Sequence, residues 1–161
     1  MKMSVLYFSK TGCTKEMGEA IVKGMESVGG VEAKAMPIDA FDEDFVKESA
    51  CVVVGSPTYY TSLAGEVKSF LDAKGGKLGL AGKLGGSFAT ANFAHGGGDI
   101  AILNILTHLA FRGMLVYSGG GACGAPPIHL GPVALSGDRA AYTALFETYG
   151  SRMAAKAKEL F

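Results

Sequence analysis

Val5-Leu6-Tyr7-Phe8-Ser9-Lys10-Thr11-Gly12-Cys13-Thr14 decides how the rest of the chain is read. Its first four residues form a short β-rich apolar run. Ser9 to Thr14 then supplies hydroxyls from Ser9, Thr11 and Thr14 around Gly12, which permits a tight turn. A helical pattern follows at once. Met17, Ala20, Ile21, Gly24, Met25 and Val28 share one face by the i, i+3, i+4 rule, and Gly29-Gly30 stops it. A helix N-terminus presents unpaired N–H groups and partial positive charge, so a phosphate suits this loop without a dedicated cation. An N-cap turn that binds nothing fits the same residues. The loop is not a nucleotide P-loop, because Gly-Lys-Ser/Thr does not follow the required first glycine.

Working outward, Val31 to Met36 reads as a second strand capped by Pro37, and Asp42 to Glu48 as a short helix. Ala50-Cys51-Val52-Val53-Val54-Gly55 is an unbroken apolar run, as expected of a strand buried on both faces in the middle of a parallel sheet. A loop over Ser56 to Leu63 leads to a helix with Val67, Phe70 and Leu71 inward. Leu84 to Thr90 predicts a strand, Ile100 to Phe111 a strongly apolar helix, and Met114 to Ser118 another strand. Asp138 to Phe161 predicts one long amphipathic helix, with Tyr142, Leu145, Phe146, Tyr149, Met153, Ala157 and Leu160 on one side. Five strands thus alternate with five helical stretches. That order means an α/β doubly wound parallel sheet with helices on both faces and right-handed crossovers. Ligands bind such sheets beyond the carboxyl ends of the strands, where strand order reverses. The loops after strands one, three and four are therefore the candidate site.

The second of these loops is Ser56-Pro57-Thr58-Tyr59-Tyr60-Thr61, whose adjacent aromatics either stack on a planar ring or simply pack one tyrosine against the domain and leave the other exposed. The third is Thr90-Ala91-Asn92-Phe93-Ala94-His95-Gly96-Gly97-Gly98. Its glycines let backbone N–H groups face a polar ring edge, and His95 is a proton donor, a stacking surface or simply a solvated side chain. Gly119-Gly120-Gly121-Ala122-Cys123-Gly124 matches a dinucleotide fingerprint by spacing alone. Ala125-Pro126-Pro127 follows it and forbids the helix that the fingerprint needs, so it reads as a glycine-rich loop.

Composition narrows the function classes. Hydrophobic residues make up 48% and charged residues 19% of 161 residues, which suits one packed domain. Formal net charge is zero, so no basic field favours nucleic acid or an anionic membrane. Cys13, Cys51 and Cys123 are odd in number and show no metal spacing, which predicts reduced thiols, no metal site and a cytoplasmic protein. The N-terminus lacks the longer apolar region and cleavage pattern of a signal peptide, and no segment is long and apolar enough to span a membrane.

The three loops together resemble the flavodoxin-like FMN proteins. Ser9-Lys10-Thr11-Gly12-Cys13-Thr14 is similar to the flavodoxin phosphate signature at every defining position. Gly55-Ser56-Pro57-Thr58-Tyr59-Tyr60, continuing through Ala64 to Asp72, resembles the WrbA family of NAD(P)H:quinone oxidoreductases. Ser87-Phe88, His95-Gly96-Gly97-Gly98 and Leu109 to Met114 resemble that family too. The resemblance implies a flavodoxin-like fold with strand order 2-1-3-4-5 over residues 1–161. It implies that Ser9, Lys10, Thr11, Gly12, Cys13 and Thr14 hold the FMN phosphate. Pro57, Thr58, Tyr59, Tyr60 and Thr61, with Thr90, Ala91, Asn92, Phe93, His95, Gly96 and Gly97, would flank the isoalloxazine. Tyr60, His95 and Arg112 are the candidates for lining a substrate pocket. The implied chemistry is hydride from NAD(P)H to the flavin and two electrons onward to a quinone.

This chain departs from the WrbA family at Tyr59-Tyr60, where the family usually has Arg-Phe. It departs again at Asp99-Ile100, and at Phe111-Arg112, where the family commonly has His-His. The main reading is an NAD(P)H-dependent quinone-type reductase; a flavodoxin-type electron carrier serving a redox protein, and a module that only docks on a protein partner, are its alternatives. Exposed apolar helix faces fit a homodimer or a higher homo-oligomer.

Overall fold

The computed structural model describes residues 1–161. The chain order is β1 (Lys2–Tyr7), α1 (Cys13–Glu26), β2 (Glu32–Pro37), α2 (Glu43–Glu48), β3 (Cys51–Tyr59), β4 (Ser62–Leu63), α3 (Gly65–Lys74), β5 (Leu84–Ala91), α4 (Gly98–Phe111), β6 (Leu115–Val116), β7 (Val133–Leu135) and α5 (Thr143–Leu160). The main strands lie in the order β2-β1-β3-β5-β6. All pairs along that path are parallel. This is the doubly wound α/β fold that the alternating pattern predicts, in the strand order that the resemblance to flavodoxin-like proteins implies.

Strand β3 shows why the sheet is buried on both faces. Successive side chains point to opposite sides of a strand. Cys51 and Val53 join the core under α1 and α5, with Met17, Ile21, Phe146 and Met153. Val52 and Val54 join the core under α2, α3 and α4, with Phe45, Val67, Leu71, Ile105 and Leu109. Full burial pushes the Cys51 thiol up to about 12, so it stays protonated and inert within the first core. Asp42 caps α2, its carboxylate accepting the Phe45 N–H at 2.9 Å.

Three expectations need correction. The loop expected over Ser56–Leu63 is mostly strand: β3 runs on to Tyr59, and β4 folds back on it antiparallel, pairing Thr58 with Leu63 and Tyr59 with Ser62. Ser56 makes this possible. Its buried hydroxyl accepts the Ala64 N–H and donates to the Pro57 carbonyl, which pins both arms. The helix expected from Asp138 begins only at Thr143, after 3-10 turns over Ser136–Tyr142 that break at Asp138 (φ −139°, ψ 43°).

The strand expected over Met114–Ser118 is two residues long and resumes as β7, which the sequence pattern does not reveal. Strand β6 pairs with Leu84 and Gly85, at the start of β5. Strand β7 pairs with Ala89 to Ala91, at its end. Between them the Ser87 N–H donates to the buried Tyr149 hydroxyl at 3.0 Å. A side chain from α5 thus substitutes for a strand at the gap, where an unpaired N–H would be costly. Residues 118–131 leave the sheet here, between the Tyr117 N–H donating to the Gly85 carbonyl and the Pro132 carbonyl accepting from the Ala89 N–H. Arg152 holds them by donating to the carbonyls of Gly119, Gly120, Gly124 and Pro126 at 3.0–3.3 Å.

Candidate functional site

Helix α1 starts at the carboxyl end of β1, and Gly12 is its N-cap residue with φ 90°, a left-handed conformation that suits glycine. No side chain caps the helix. The first intrahelical bond runs from the Glu16 N–H to the Gly12 carbonyl. The N–H groups of Cys13, Thr14 and Lys15 lie ahead of it, among those a helix start leaves without an intrahelical acceptor. Nothing lies within 4 Å of the point where a Gly12 Cβ would stand. The helix end is therefore open as well as electropositive, which is what an anion needs.

The rest of the first loop is tied down. The Gly12 N–H donates to the Ser9 hydroxyl at 3.1 Å. The buried Thr14 hydroxyl shares a 2.8 Å hydrogen bond with the hydroxyl of Thr90, at the end of β5. Cys13 is buried. Lys10 lies over the Tyr59 ring, its Nζ 5.4 Å from the centroid and 3.7 Å from the Glu66 carboxylate. Both partners of that ion pair are half exposed, so it orients Lys10 more than it stabilises the fold.

The second and third loops form the two walls of a cleft of about 470 Å³. Thr58, Tyr59, Tyr60 and Thr61 line one wall, and Ala91, Asn92, Phe93, His95 and Gly96 the other. This volume lies in the range of small-molecule sites. Tyr60 and Thr61 form the two-residue turn between β3 and β4, with φ 48° and 69°. Both are left-handed without being glycine, which costs about 1 kcal/mol or more each. The Thr61 carbonyl oxygen lies 2.6 Å from where a Gly97 Cβ would stand. Gly97, with φ 94°, is the N-cap of α4, so the second loop packs against the start of α4. The Thr58 hydroxyl oxygen is buried within this wall and has no hydrogen-bond partner. A buried unpaired oxygen is costly and calls for a partner. At the mouth the Phe93 and His95 rings stack at 5.7 Å and 8°, and Tyr60 projects fully into solvent.

The structure thus gathers Ser9 to Thr14, Pro57 to Thr61, and Thr90 to Gly97 at one edge of the sheet. Arg112 does not belong with them. It follows the last residue of α4, whose 14 residues rise about 21 Å away from Gly97. Its guanidinium stands beside Gly75 and Gly76 and donates from Nε to His108 Nε2 at 3.3 Å. Arg112 is therefore withdrawn from the pocket group. Burial first, and the Arg112 charge second, hold the His108 imidazole below its usual range. Asp72 lies 4.0 Å from Nδ1 and pulls the other way more weakly. Acceptance of the Arg112 proton at Nε2 requires the neutral ring.

Two features of this edge escaped the sequence. Glu66, which steers Lys10, follows a turn whose shape no local signal reveals. A hollow of about 760 Å³ lies between Asp99 and the segment Pro127–Val133, which reaches only the first residue of β7.

An open, doubly wound sheet with a ring-sized cleft beside an uncapped helix N-terminus defines the flavodoxin-like class. A family model described as a flavodoxin domain matches residues 4–92. The chain is 44% identical, over 161 residues spanning 100% of both chains, to a protein named flavodoxin from Clostridium saccharobutylicum. It is 35% identical over 145 residues to a protein named NAD(P)H dehydrogenase (quinone) from Geotalea daltonii, covering 72% of this chain and 70% of that one. An archaeal flavodoxin structure superposes with TM-score 0.81 at 26% identity, covering 98% and 99% of the two chains. A WrbA-like flavodoxin structure from Agrobacterium tumefaciens gives TM-score 0.83 at 24% identity, covering 99% of each, a likeness of fold. The chain belongs to the flavodoxin domain family. No helix is long and apolar enough to cross a membrane.

Proposed function

We propose that residues 1–161 act as one FMN-binding domain of the flavodoxin type, which carries electrons between redox partners in the cytoplasm. The carrying observation is the convergence of three loops. The Thr14–Thr90 hydrogen bond and the Thr61–Gly97 packing bring an open helix N-terminus and a ring-sized cleft to one edge. FMN, with its phosphate and planar ring, matches that pair of subsites, and when bound it supplies the electron chemistry.

The residues have separate tasks in this reading. Ser9 to Thr14 present N–H groups to the phosphate from a backbone already fixed by Ser9, Thr14 and Gly12. The unpartnered Thr58 hydroxyl gives or takes a hydrogen bond within the cleft. Tyr59, Tyr60 and Thr61 close over one face of the ring, and Thr90, Ala91, Asn92, Phe93, His95, Gly96 and Gly97 over the other. Tyr60 and Phe93, both exposed, leave an accessible ring edge through which a partner exchanges electrons.

The carrier reading draws on the full-length likeness to a protein named flavodoxin. A second reading, a two-electron NAD(P)H:quinone reductase, is favoured by the relative from Geotalea daltonii and by the stretch Lys68-Ser69-Phe70-Leu71-Asp72. The deciding experiment adds FMN to flavin-free protein, follows quenching of flavin fluorescence, then adds NADH or NADPH with benzoquinone. Uptake of one FMN per chain with negligible turnover is expected. Rapid nucleotide-driven turnover moves the assignment to the reductase, and failure to bind FMN removes both.

A further inference from the structure

The loop from Ser9 to Thr14 has a hollow on each flank. The ring cleft lies on the side of β3 and β5. On the opposite side, toward the carboxyl end of β2, a second hollow of about 260 Å³ reaches from Ser9 and Gly12 across to Pro37 and Asp39. FMN, as placed above, uses only the first. An open helix start with a hollow on both sides stands where the bridging phosphates of a dinucleotide run between its two ring systems.

The second hollow presents groups that want a ligand. Tyr7, the last residue of β1, forms part of its wall with all but 6% of its surface covered. Its ring packs against α1, where a Gly18 Cβ would stand 3.4 Å from Cδ1. Its hydroxyl makes no hydrogen bond within the chain. Burial first, then the charges of Glu19 and Asp39, push the phenol up, so it stays a donor at neutral pH and calls for an acceptor. A turn fixes Asp39 at the mouth. The Ile38 N–H donates to the Tyr7 carbonyl at 2.9 Å, and the Ala40 N–H to the Pro37 carbonyl at 3.1 Å. Lys15 is more than half exposed in the first turn of α1, and its ammonium meets only Glu19, at 3.8 Å. Such a surface pair is weak and readily exchanged for another anion. Phe8 and Pro37 add apolar surface. The volume suits a nucleoside better than a whole cofactor.

We infer that this hollow takes the adenosine of FAD, so that the site accepts the flavin dinucleotide as well as FMN. The inference rests on the flavin reading and extends it. The flavin ring stays in the cleft and its phosphate at the open start of α1. Lys15 then stands beside the second phosphate. Asp39 accepts from the ribose hydroxyls, as a carboxylate does in dinucleotide-binding doubly wound sheets. Tyr7 donates to the nucleoside, and the adenine covers Phe8 and Pro37. Tyr7 and Asp39 belong neither to the cleft walls nor to the Ser9–Thr14 loop, so they bear on the adenosine alone.

Calorimetric titration of the flavin-free full chain with FMN and with FAD tests it. One FAD per chain is expected, with a Kd within about tenfold of that for FMN. Tyr7→Phe and Asp39→Asn each remove one hydrogen bond, which weakens FAD about fivefold. Both leave FMN affinity and the far-ultraviolet circular dichroism unchanged. Asp39 is exposed, so its variant carries the test should the buried Tyr7 tolerate no change. FMN that binds where FAD does not overturns the inference and leaves the FMN site standing. So does FAD affinity that neither variant lowers, or that falls only in step with FMN affinity. Binding of neither flavin removes the flavin reading, and the inference with it.

Discussion

Helices α1 and α4 are both 14 residues long, and both start at the carboxyl edge of the sheet behind a left-handed glycine without a side-chain cap. Their surroundings differ at both ends. Around Gly12 nothing occupies the space of a Cβ, whereas at Gly97 the backbone of Thr61 already fills it. One start is a receptacle, and the other is a buttress for the loop that walls the cleft. Farther along, α1 is closed over by α5, while the outer face of α4 is bare. Identical local signals thus serve opposite ends, and tertiary surroundings decide which.

The largest test of this contrast falls on the covered side of α1. A Gly24 Cβ would stand 1.9 Å from the Glu147 carbonyl oxygen in α5. Gly24→Ala is expected to force the two helices apart and cost about 3 kcal/mol in urea unfolding. A smaller loss would show that α5 yields easily.

At the buttress, Gly97→Ala meets both a left-handed φ and the Thr61 carbonyl, and a loss of about 2 kcal/mol is expected. FMN affinity should fall with it, because the Thr58–Thr61 wall must shift. Retained affinity in fluorescence titration would separate Gly97 from the cleft.

At the receptacle, Gly12→Ala meets only the conformational strain, about 1 kcal/mol. Its methyl group takes the open space, so FMN binding should weaken at least tenfold while riboflavin, which lacks the phosphate, is bound as before. Equal weakening of both ligands would place the phosphate elsewhere.

The smallest effect concerns the far end of α4. His108 protonates less readily folded than its ordinary 6.5, through burial and Arg112. The unfolded chain therefore binds more protons as pH falls below about 6.5, and the folded state loses stability there. The contribution is fully present above that pH. His108→Gln should remove roughly a few tenths of a kcal/mol of the difference between pH 7.5 and 5.5, read from urea midpoints of both proteins.

Much of this was legible in the chain itself. Ala50 to Gly55 announced a central strand because continuous apolar character has few other uses, and Ser9 to Thr14 announced a helix start because its residue types suit nothing else there. The residues of the cleft walls were readable from their place after strands three and four, though not the β3–β4 hairpin or its turn at Tyr60-Thr61, where neither residue advertises a left-handed backbone. Arg112 was misplaced because its grouping came from likeness to a family motif, while the intervening α4 carries it the length of the molecule. The interrupted fifth strand was hidden for a different reason. Its seam is closed by the Tyr149 hydroxyl, a partner 62 residues away from Ser87, and pattern reading sees only neighbours.

That seam also governs how the protein behaves in a crowded solution. An exposed sheet margin is a template for the strands of other molecules, and length is what makes it effective. Here one margin is divided into pieces of two and three residues, separated by a fastened excursion of the chain. The opposite margin, Glu32 to Pro37, carries charged side chains and ends in proline. Neither border offers an incoming strand a long, even row of partners, so the sheet is shielded from growing beyond its own chain.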